Sequence, residues 1–259
     1  MMVERGLFTV RDLAKEAITA GRVTVNGQVV RKASTEVAED AQITLSDAGS
    51  DFVSRGGNKL ERAMETFGID VAGMTVLDVG AATGGFTDCM LRHGAVRAYA
   101  LDSGTGQLAQ SLREDARVVN LENTNIRSVT ASLFSPLPDF IAVDVSFISL
   151  NLVLPVLAAL CAPHTTTVCL VKPQFEAGRQ NVGKKGVVKD PKVHEAVLAA
   201  FLDNAAINGF MLQGLTWSPI KGPEGNIEFL AYLGRAGDRS AEVNLKQLVK
   251  TAHEALKGQ

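Results

Sequence analysis

Apolar and polar positions follow two different patterns along the 259 residues, and the change between them divides the chain. From residue 74 onward, short and nearly continuous apolar runs alternate with segments of helical periodicity. The runs cover residues 74–81 (MTVLDVGA), 97–102 (RAYALD), 117–122 (RVVNLE), 140–146 (FIAVDVS), 166–172 (TTVCLVK) and 229–234 (FLAYLG). Since such runs, separated by helices, are typical of parallel strands buried on both faces, they predict an α/β domain with a mostly parallel, doubly wound, Rossmann-like sheet.

The first 47 residues follow the other pattern. Residues 10–21 place apolar side chains on one helical face that ends at Gly21, and residues 22–30 alternate about Asn26-Gly27, a strong hairpin signal. Residues 41–45 add a short strand, and the run SDAGSD at 46–51 then breaks the pattern. We therefore predict a small α+β module at residues 1–47, a linker at 48–54 and the larger α/β domain at 55–259.

Composition narrows the class of protein. The chain is 46% hydrophobic with a formal net charge of -2, so nucleic acid or a membrane would have to be bound by local patches rather than by overall attraction. The three cysteines are far apart and form no CxxC pair, which indicates buried thiols in a reducing compartment. The first residues are charged too early for a signal peptide, and the most apolar run, residues 150–162, is shorter than the ~20 residues of a bilayer span. These features predict a cytoplasmic protein outside the membrane.

The segment LDVGAATGGFTD, residues 77–88, has the composition of a tight turn from a strand into a helix around a ligand. It lacks the Gly-Lys-Ser/Thr end of a P-loop and the GxGxxG spacing of a dinucleotide site. Asp102 follows about 20 residues later at the end of the next strand, where a carboxylate binds ribose hydroxyls in doubly wound folds. A glycine turn without phosphate chemistry, together with a ribose-binding acid, suits a nucleoside with an amino-acid tail, S-adenosylmethionine. The alternative is that the glycines only permit close helix packing.

Asn125, which follows the third strand, is expected to offer a polar group to the adenine of S-adenosylmethionine. The full set of predicted cofactor contacts is Gly80, Ala81, Thr83, Gly84, Gly85, Phe86, Asp102, Asn125 and Asp144.

Charged residues follow two of the apolar runs. Asp144 lies at the end of the fourth strand and Lys172 at the end of the fifth, so both are predicted at the edge where ligands bind in open α/β sheets. Charges there are costly unless they are paired, and a purely structural ion pair is an open alternative. Two further charged residues are Lys59, on an amphipathic helix before the first strand, and Glu228, at the start of the last strand. Taken alone, each is typical of a solvent-exposed charge.

In this order, Lys59, Asp144, Lys172 and Glu228 resemble the Lys-Asp-Lys-Glu tetrad of FtsJ-like RNA ribose 2′-O-methyltransferases. The segments VSRGGNKLERA, LDVGAATGGFTDCML, DVSFISL, LVKPQFEAGR and SPIKGPEGNIEFL are similar to those of the TlyA family, ribosomal RNA methyltransferases often labelled haemolysins. The resemblance covers essentially the whole chain, and the N-terminal module resembles the S-four RNA-binding domain. Its start, MMVERGLF, corresponds to the middle of the usual first helix of that domain, which predicts a shortened module.

The resemblance implies a class I methyltransferase domain that transfers the methyl group of S-adenosylmethionine, without a metal, to a ribose 2′-hydroxyl of cytidine in 16S and/or 23S ribosomal RNA. A 2′-hydroxyl is a weak acid and needs help to lose its proton as it attacks. The resemblance makes Lys172 the base or hydroxyl-orienting group, Asp144 its partner, and Lys59 and Glu228 positioning residues. For Lys172 to act as the base, its pKa must fall from ~10.4. Burial and Lys59 would lower that pKa, whereas Asp144 and Glu228 would raise it.

Basic residues concentrate after Lys172. Between residues 172 and 192, six basic side chains stand against two acids and no hydrophobic period is present, which predicts a mobile loop that contacts RNA phosphates. The predicted RNA contacts are Arg55, Arg179, Lys184, Lys185 and Lys189 in the larger domain and Arg5, Arg11, Lys15 and Arg22 in the small module. The expected partner is ribosomal RNA or a ribosomal subunit. The alternatives are a methyltransferase of small molecules and, less favoured, a lytic haemolysin, which would need a membrane-competent segment.

Overall fold

The structure is a computed structural model that describes residues 2, 3, 5, 7, 8, 11–19, 23–38, 41–45, 52–235 and 240–258. The chain forms two units, Met1–Asp51 and Phe52–Gln259. Residues 48–51 of the predicted linker lie outside the described residues, and the rest of that linker belongs to the second unit. Phe52 is buried there, and the amide of Val53 donates a 2.8 Å hydrogen bond to Oδ2 of Asp88.

The first unit is a small α+β module. It contains helix α1 (Arg11–Thr19) and strands β1 (Val23–Val25), β2 (Gln28–Val30) and β3 (Ile43–Leu45). The strands form an antiparallel sheet in the order β2-β1-β3. Asn26 and Gly27 make the turn between β1 and β2 with φ angles of 50° and 80°, which is why the Asn-Gly pair is a hairpin signal.

The second unit alternates helices and strands over its length. In chain order its elements are α2 (Gly56–Phe67), β4 (Thr75–Val79), α3 (Gly85–Arg92), β5 (Arg97–Leu101), α4 (Gln110–Arg113), β6 (Val118–Leu121), β7 (Phe140–Val143), α5 (Leu150–Leu160), β8 (Thr166–Val171), α6 (Pro173–Glu176), α7 (Pro191–Ile207), β9 (Phe210–Trp217), β10 (Phe229–Arg235) and α8 (Leu245–Ala255). The strand order is β6-β5-β4-β7-β8-β10-β9. The pairings among β4, β5, β6, β7 and β8 are parallel, and β10 runs antiparallel to both β8 and β9. The predicted α/β fold with a mostly parallel sheet is confirmed.

The sequence pattern does not predict β9 or α8. In β9 the apolar run is interrupted by Gln213 and Gly214. Packing requires the glycine, because a Cβ at position 214 would lie 2.5 Å from the ring of Phe67 on α2. In α8 the apolar stripe is narrow, with Val249 and Ala252 as its buried residues.

Helices cover both faces of the large sheet. Buried side chains of α2, α3 and α4 pack on one face, and those of α5, α7 and α8 pack on the other. Strands β4, β5, β7 and β8 end one to three residues before the apolar runs do. The polar residues that follow therefore lie in loops along one edge of the sheet, which is where open α/β sheets bind ligands.

Two further expectations concern membrane-spanning segments and the cysteines. No helix in the described stretches combines the length and apolar character needed to cross a bilayer. The three cysteines are free: Cys89 and Cys169 are buried, Cys161 is half-buried, and burial raises the pKa of each thiol.

Candidate active site

Lys59 and Glu228 form a buried ion pair. Lys59 projects from the packed face of α2, and Glu228 directly precedes β10. The Nζ of Lys59 donates a 2.6 Å hydrogen bond to Oε2 of Glu228, and the two side chains are 9% and 1% exposed. Burial opposes the charged form of Lys59, but the Asp144 and Glu228 carboxylates outweigh it and raise the pKa of Lys59 above its ordinary value. Lys59 is therefore a fixed positive charge at neutral pH.

Lys172 and Asp144 form a second ion pair that opens to solvent. The two residues follow β8 and β7, which are neighbouring parallel strands. The Nζ of Lys172 lies 2.5 Å from Oδ1 of Asp144, and the side chains are 10% and 20% exposed. This contact does not have hydrogen-bond geometry at Oδ1, whereas the same Nζ donates a 2.9 Å hydrogen bond to Oγ of Ser146. Lys172 is thus fixed from two sides.

The structure brings all four predicted tetrad residues to one edge of the sheet. Asp144 pairs with Lys172 and also raises the pKa of Lys59 through its charge, so it connects the two pairs. Glu228 reaches this edge because β10 is antiparallel: Phe229 at its amino end pairs with Val171 at the carboxyl end of β8. The result is a row of alternating positive and negative groups.

A buried carboxyl lies behind this row. Asp78, the fourth of the five residues of β4, is fully buried, and its Oδ2 accepts hydrogen bonds from N and Oγ1 of Thr87 at 2.9 and 2.7 Å. Burial raises the pKa of Asp78 to about 7, and the charge of Asp144 acts in the same direction. Asp78 connects the first turn of α3 to β4 and so fixes both ends of the glycine loop, residues 80–84, which joins these two elements. Sequence reasoning missed it because it lies within an apolar run.

A cleft of about 770 Å³ opens beside Asp144 at the same edge. Of the predicted cofactor contacts, Gly80, Asp102, Asn125 and Asp144 line it. The carboxylate of Asp102 accepts hydrogen bonds from the amides of Ala82 (2.8 Å) and Gly104 (2.6 Å). It therefore joins the glycine loop to the loop after β5.

The loop after β5 is held by a second carboxylate. Partial burial alone would raise the pKa of Glu122, but hydrogen bonds from Asn120 and from the amides of Leu108 and Gln107 lower it to about 2. Glu122 is therefore charged at any physiological pH. Its contacts fix Gln107, which lines the cleft.

The other predicted cofactor residues hold the glycine loop rather than line the cleft. Ala81 and Phe86 are buried in the core, and the carbonyl of Thr83 accepts a 3.1 Å hydrogen bond from Ala109. A Cβ on Gly84 would lie 2.2 Å from Leu112, and one on Gly85 would lie 2.3 Å from Oγ of Ser54. Close helix packing, the alternative left open by the sequence, accounts for the glycines at 84 and 85.

The cleft has an aromatic side chain at its mouth that sequence reasoning did not select. Phe147 lines the cleft, is 92% exposed and has a φ of 62°, which is unusual for a bulky residue. Its ring centroid lies 5.1 Å from that of Phe175, whose ring lies 6.0 Å from Nζ of Lys172. The available signal was an aromatic residue in the loop DVSFIS, directly after a strand-end acid.

The predicted RNA contacts of the second unit fall into two environments. Arg179, Lys184, Lys185 and Lys189 are exposed on the segment between α6 and α7. Arg55 instead is half-buried beside Lys59, and its buried Nε has no hydrogen-bond partner. The segment between α6 and α7 is anchored near its end, where Val188 is buried and its amide donates a hydrogen bond to Asn226.

In the first unit, Arg11 and Lys15 are exposed on α1, one turn apart. Nη1 of Arg5 donates a 2.7 Å hydrogen bond to the carbonyl of Ala41. Arg22 lies outside the described residues. Over the described part of both units, no cluster of three or more His, Cys, Asp or Glu side chains could hold a metal ion.

Known proteins share both units of this chain. The FtsJ-like methyltransferase profile matches residues 52–235, and the S4 domain profile matches residues 1–43. YqxC of Bacillus subtilis, named as a candidate rRNA methyltransferase, is 46% identical over 99% of this chain and 94% of its own length. TlyA of Mycobacterium tuberculosis, named a 16S/23S rRNA (cytidine-2′-O)-methyltransferase, is 42% identical over 98% of this chain and 95% of its own.

A solved structure of a candidate hemolysin from Streptococcus thermophilus is similar with a TM-score of 0.82 at 42% identity, covering 99% of this chain and 94% of that one. The family profile covers most of the chain, and the relatives match it over nearly their full length. This protein therefore belongs to the FtsJ-like methyltransferases, in the group that includes TlyA and carries an S4 domain.

Proposed function

We propose that this protein methylates the ribose 2′-hydroxyl of a cytidine in ribosomal RNA and uses S-adenosylmethionine as the methyl donor. The observation that carries the proposal is the position of Lys172. Its ammonium is held between Asp144 and Ser146, and both of those residues line the cleft. A side chain so placed can contact a nucleotide that enters from solvent beside a ligand in the cleft. The name of the Mycobacterium tuberculosis relative supports cytidine as the target.

The groups that line the cleft fit S-adenosylmethionine, which supplies an electrophilic methyl group when bound. After accepting from Ala82 and Gly104, the Asp102 carboxylate retains lone pairs for ribose hydroxyls. Oδ1 of Asn125 accepts from the amide of Arg127, which leaves its Nδ2 as a donor to an adenine nitrogen. Asp144 supplies a negative charge for the cationic end of the molecule. Apolar walls come from Leu101, Ile126, Ile148 and Leu152.

Lys172 would orient the 2′-hydroxyl and receive its proton during attack. Asp144 and Ser146 fix the position of its Nζ. Lys59, kept charged by Asp144 and Glu228, adds a fixed positive charge at the same edge of the sheet.

RNA would be held by two kinds of contact. The rings of Phe147 and Phe175 offer a stacking surface to a base that has left its helix. The exposed lysines between α6 and α7 offer charge to backbone phosphates. The match of the first unit to the S4 domain supports an RNA rather than a small-molecule substrate.

The test uses radiolabelled S-adenosylmethionine with separated ribosomal subunits and with naked rRNA, all from a strain that lacks the enzyme. Wild type and Lys172→Ala are assayed side by side. We expect label in rRNA with wild type and not with the variant, and nuclease digestion would locate the nucleotide. If wild type binds S-adenosylmethionine but labels neither subunit nor naked rRNA, the substrate is not ribosomal RNA. Screening of small-molecule acceptors would then follow.

A further inference from the structure

Asn226 links the basic segment between α6 and α7 to the turn that precedes β10. It is fully buried. Its Oδ1 accepts a hydrogen bond from the amide of Val188, and its Nδ2 donates one to the carbonyl of Gly186, each over 2.9 Å. One side chain thus binds the carbonyl of Gly186 and the amide of Val188, the residues on either side of Val187.

At the far end of this link are the exposed lysines. Lys184 and Lys185 lie at the tip of a tight turn in which the amide of Gly186 donates to the carbonyl of Gly183 over 2.8 Å. The amide of Gly183 in turn donates to the carbonyl of Val187 over 3.1 Å. Lys189 follows buried Val188 directly and is exposed. Fixing residues 186 and 188 therefore fixes the backbone that joins the Lys184–Lys185 turn to Lys189.

At the near end is the buried pair of the candidate active site. The carbonyl of Asn226 accepts a 2.9 Å hydrogen bond from the amide of Gly222, which closes the turn two residues before Glu228. The carboxylate of Glu228 lies over this turn, since a Cβ on Gly222 would meet its Oε1 at 2.6 Å. Glu228 in turn holds Lys59. The turn connects the basic segment to the tetrad through contacts between neighbouring buried groups.

We propose that Asn226 is a positioning residue for RNA: it holds Lys184, Lys185 and Lys189 at a fixed place relative to the tetrad. Phosphates bound by these lysines then present the target ribose to Lys172. This inference rests on the proposed function and deepens it by assigning how backbone contacts are brought into register with the site. Without the amide, the same charges remain on the chain but are no longer held where they reach the phosphates of RNA bound at the tetrad, so those contacts are lost and binding weakens.

The test compares wild type with Asn226→Ala and with the isosteric Asn226→Asp, which keeps the acceptor for Val188 and loses the donor to Gly186. Asn208→Ala is the matched control, because Asn208 makes its hydrogen bonds to Asn204 at the opposite end of α7. The affinity for rRNA is measured at several salt concentrations, the affinity for S-adenosylmethionine by calorimetry, and folding by thermal melting. A triple variant, Lys184→Ala/Lys185→Ala/Lys189→Ala, reports what the charges contribute.

We expect both Asn226 variants to bind rRNA about tenfold more weakly. Their salt dependence should flatten by roughly 2 in log–log slope, as for the triple variant, if about three phosphate contacts are lost. Affinity for S-adenosylmethionine should stay within about twofold in the isosteric variant, and Asn208→Ala should match wild type in both affinities.

Three results would overturn the inference. In the first, the Asn226 variants keep the wild-type salt slope while the triple variant flattens it, so the lysines act without the tether. In the second, rRNA and S-adenosylmethionine affinities fall together in Asn226→Asp, which indicates a general structural role. In the third, wild type and the triple variant bind rRNA equally. If wild type also fails to methylate rRNA, the proposed function itself has failed, and the wild-type assay identifies that case.

Discussion

The two lysine–carboxylate pairs at the sheet edge use the same chemistry in different surroundings. The Lys59–Glu228 pair has side chains that are 9% and 1% exposed, and it lies between α2 and the start of β10. The Lys172–Asp144 pair is 10% and 20% exposed, its carboxylate lines the cleft, and Ser146 provides an additional partner for the lysine. The Lys59–Glu228 pair is thus enclosed by protein, whereas the Lys172–Asp144 pair opens to the cleft.

This difference separates two tasks. Burying two charges carries a large desolvation cost, so the enclosed pair depends strongly on both partners being present. The open pair is partly solvated and can exchange a protein partner for a substrate group. The enclosed pair therefore suits a constant electrostatic role, and the open pair suits proton transfer.

The largest expected effect comes from replacing Lys172, in the open pair, by a residue that keeps the positive charge but cannot release a proton. Lys172→Arg keeps the positive charge but cannot act as a base, because the guanidinium does not deprotonate in proteins. We expect the methylation rate to fall by roughly 10² to 10⁴, while the melting temperature changes little. Quench-flow measurement of single-turnover methyl transfer would check this. A variant that retains a tenth or more of the rate would assign Lys172 a purely electrostatic role and erase the distinction between the pairs.

The second effect is on stability. Glu228→Ala leaves Lys59 buried without its closest partner and should lower the free energy of unfolding by about 3–5 kcal/mol. Asp144→Ala leaves Lys172 its hydrogen bond to Ser146 and partial access to solvent, so it should cost less, about 1–3 kcal/mol. Glu224→Ala, on the exposed part of the same turn, is the control for Glu228. Urea denaturation of the three variants gives the comparison, and equal losses at 228 and 144 would contradict it.

The third effect is a pH dependence. Because the pKa of Lys59 is raised in the folded state, the contribution of its charged form is fully present below pH ~10.4 and is lost only as the pH rises through the raised value. The reference is Lys59→Met/Glu228→Gln, which has no titratable group at the enclosed pair. The difference in unfolding free energy between wild type and this variant should be constant from about pH 6 to 9 and change above about pH 10. A slope within the lower window would show that Lys59 titrates there.

The smallest effect concerns the aromatic group beside the open pair. Phe147→Ala should raise the KM for rRNA about tenfold through lost stacking, and should leave stability unchanged because the ring is 92% exposed. Ile207→Ala is the control, since Ile207 is also highly exposed, at 83%, at the end of α7. Steady-state kinetics at saturating S-adenosylmethionine separates KM from kcat. An unchanged KM would remove Phe147 from the substrate surface.

The sequence predicts the sheet and the positions of Asp144 and Lys172, because each follows an apolar run whose period is set by local chemistry. It does not distinguish glycines that face a ligand from those that face a helix: Gly80 lines the cleft, whereas Gly84 and Gly85 pack against Leu112 and Ser54. Such differences arise from contacts between segments that are distant in the chain.

The same limit applies to the basic segment. Its composition predicts a mobile loop, and the structure anchors it through Asn226, which lies 38 residues beyond Val188. The partner of Lys59 is more distant still. Local sequence reports the charge of a residue, but only the assembled fold determines whether solvent, substrate or another side chain satisfies it.

The antiparallel insertion of β10 also sets the order in which a growing chain can acquire activity. The strand occupies a place between β8 and β9, and the hydrogen bond from Lys59 to Glu228 spans 169 residues. Closing so distant a contact is slow relative to local folding. A ribosome-bound chain that stops before residue 228 contains Lys172 and the residues that line the cleft but lacks Glu228 and hence the enclosed pair. We expect methyl transfer by the released full-length chain and none by chains stalled before residue 228, so that the protein is catalytically silent through most of its own synthesis.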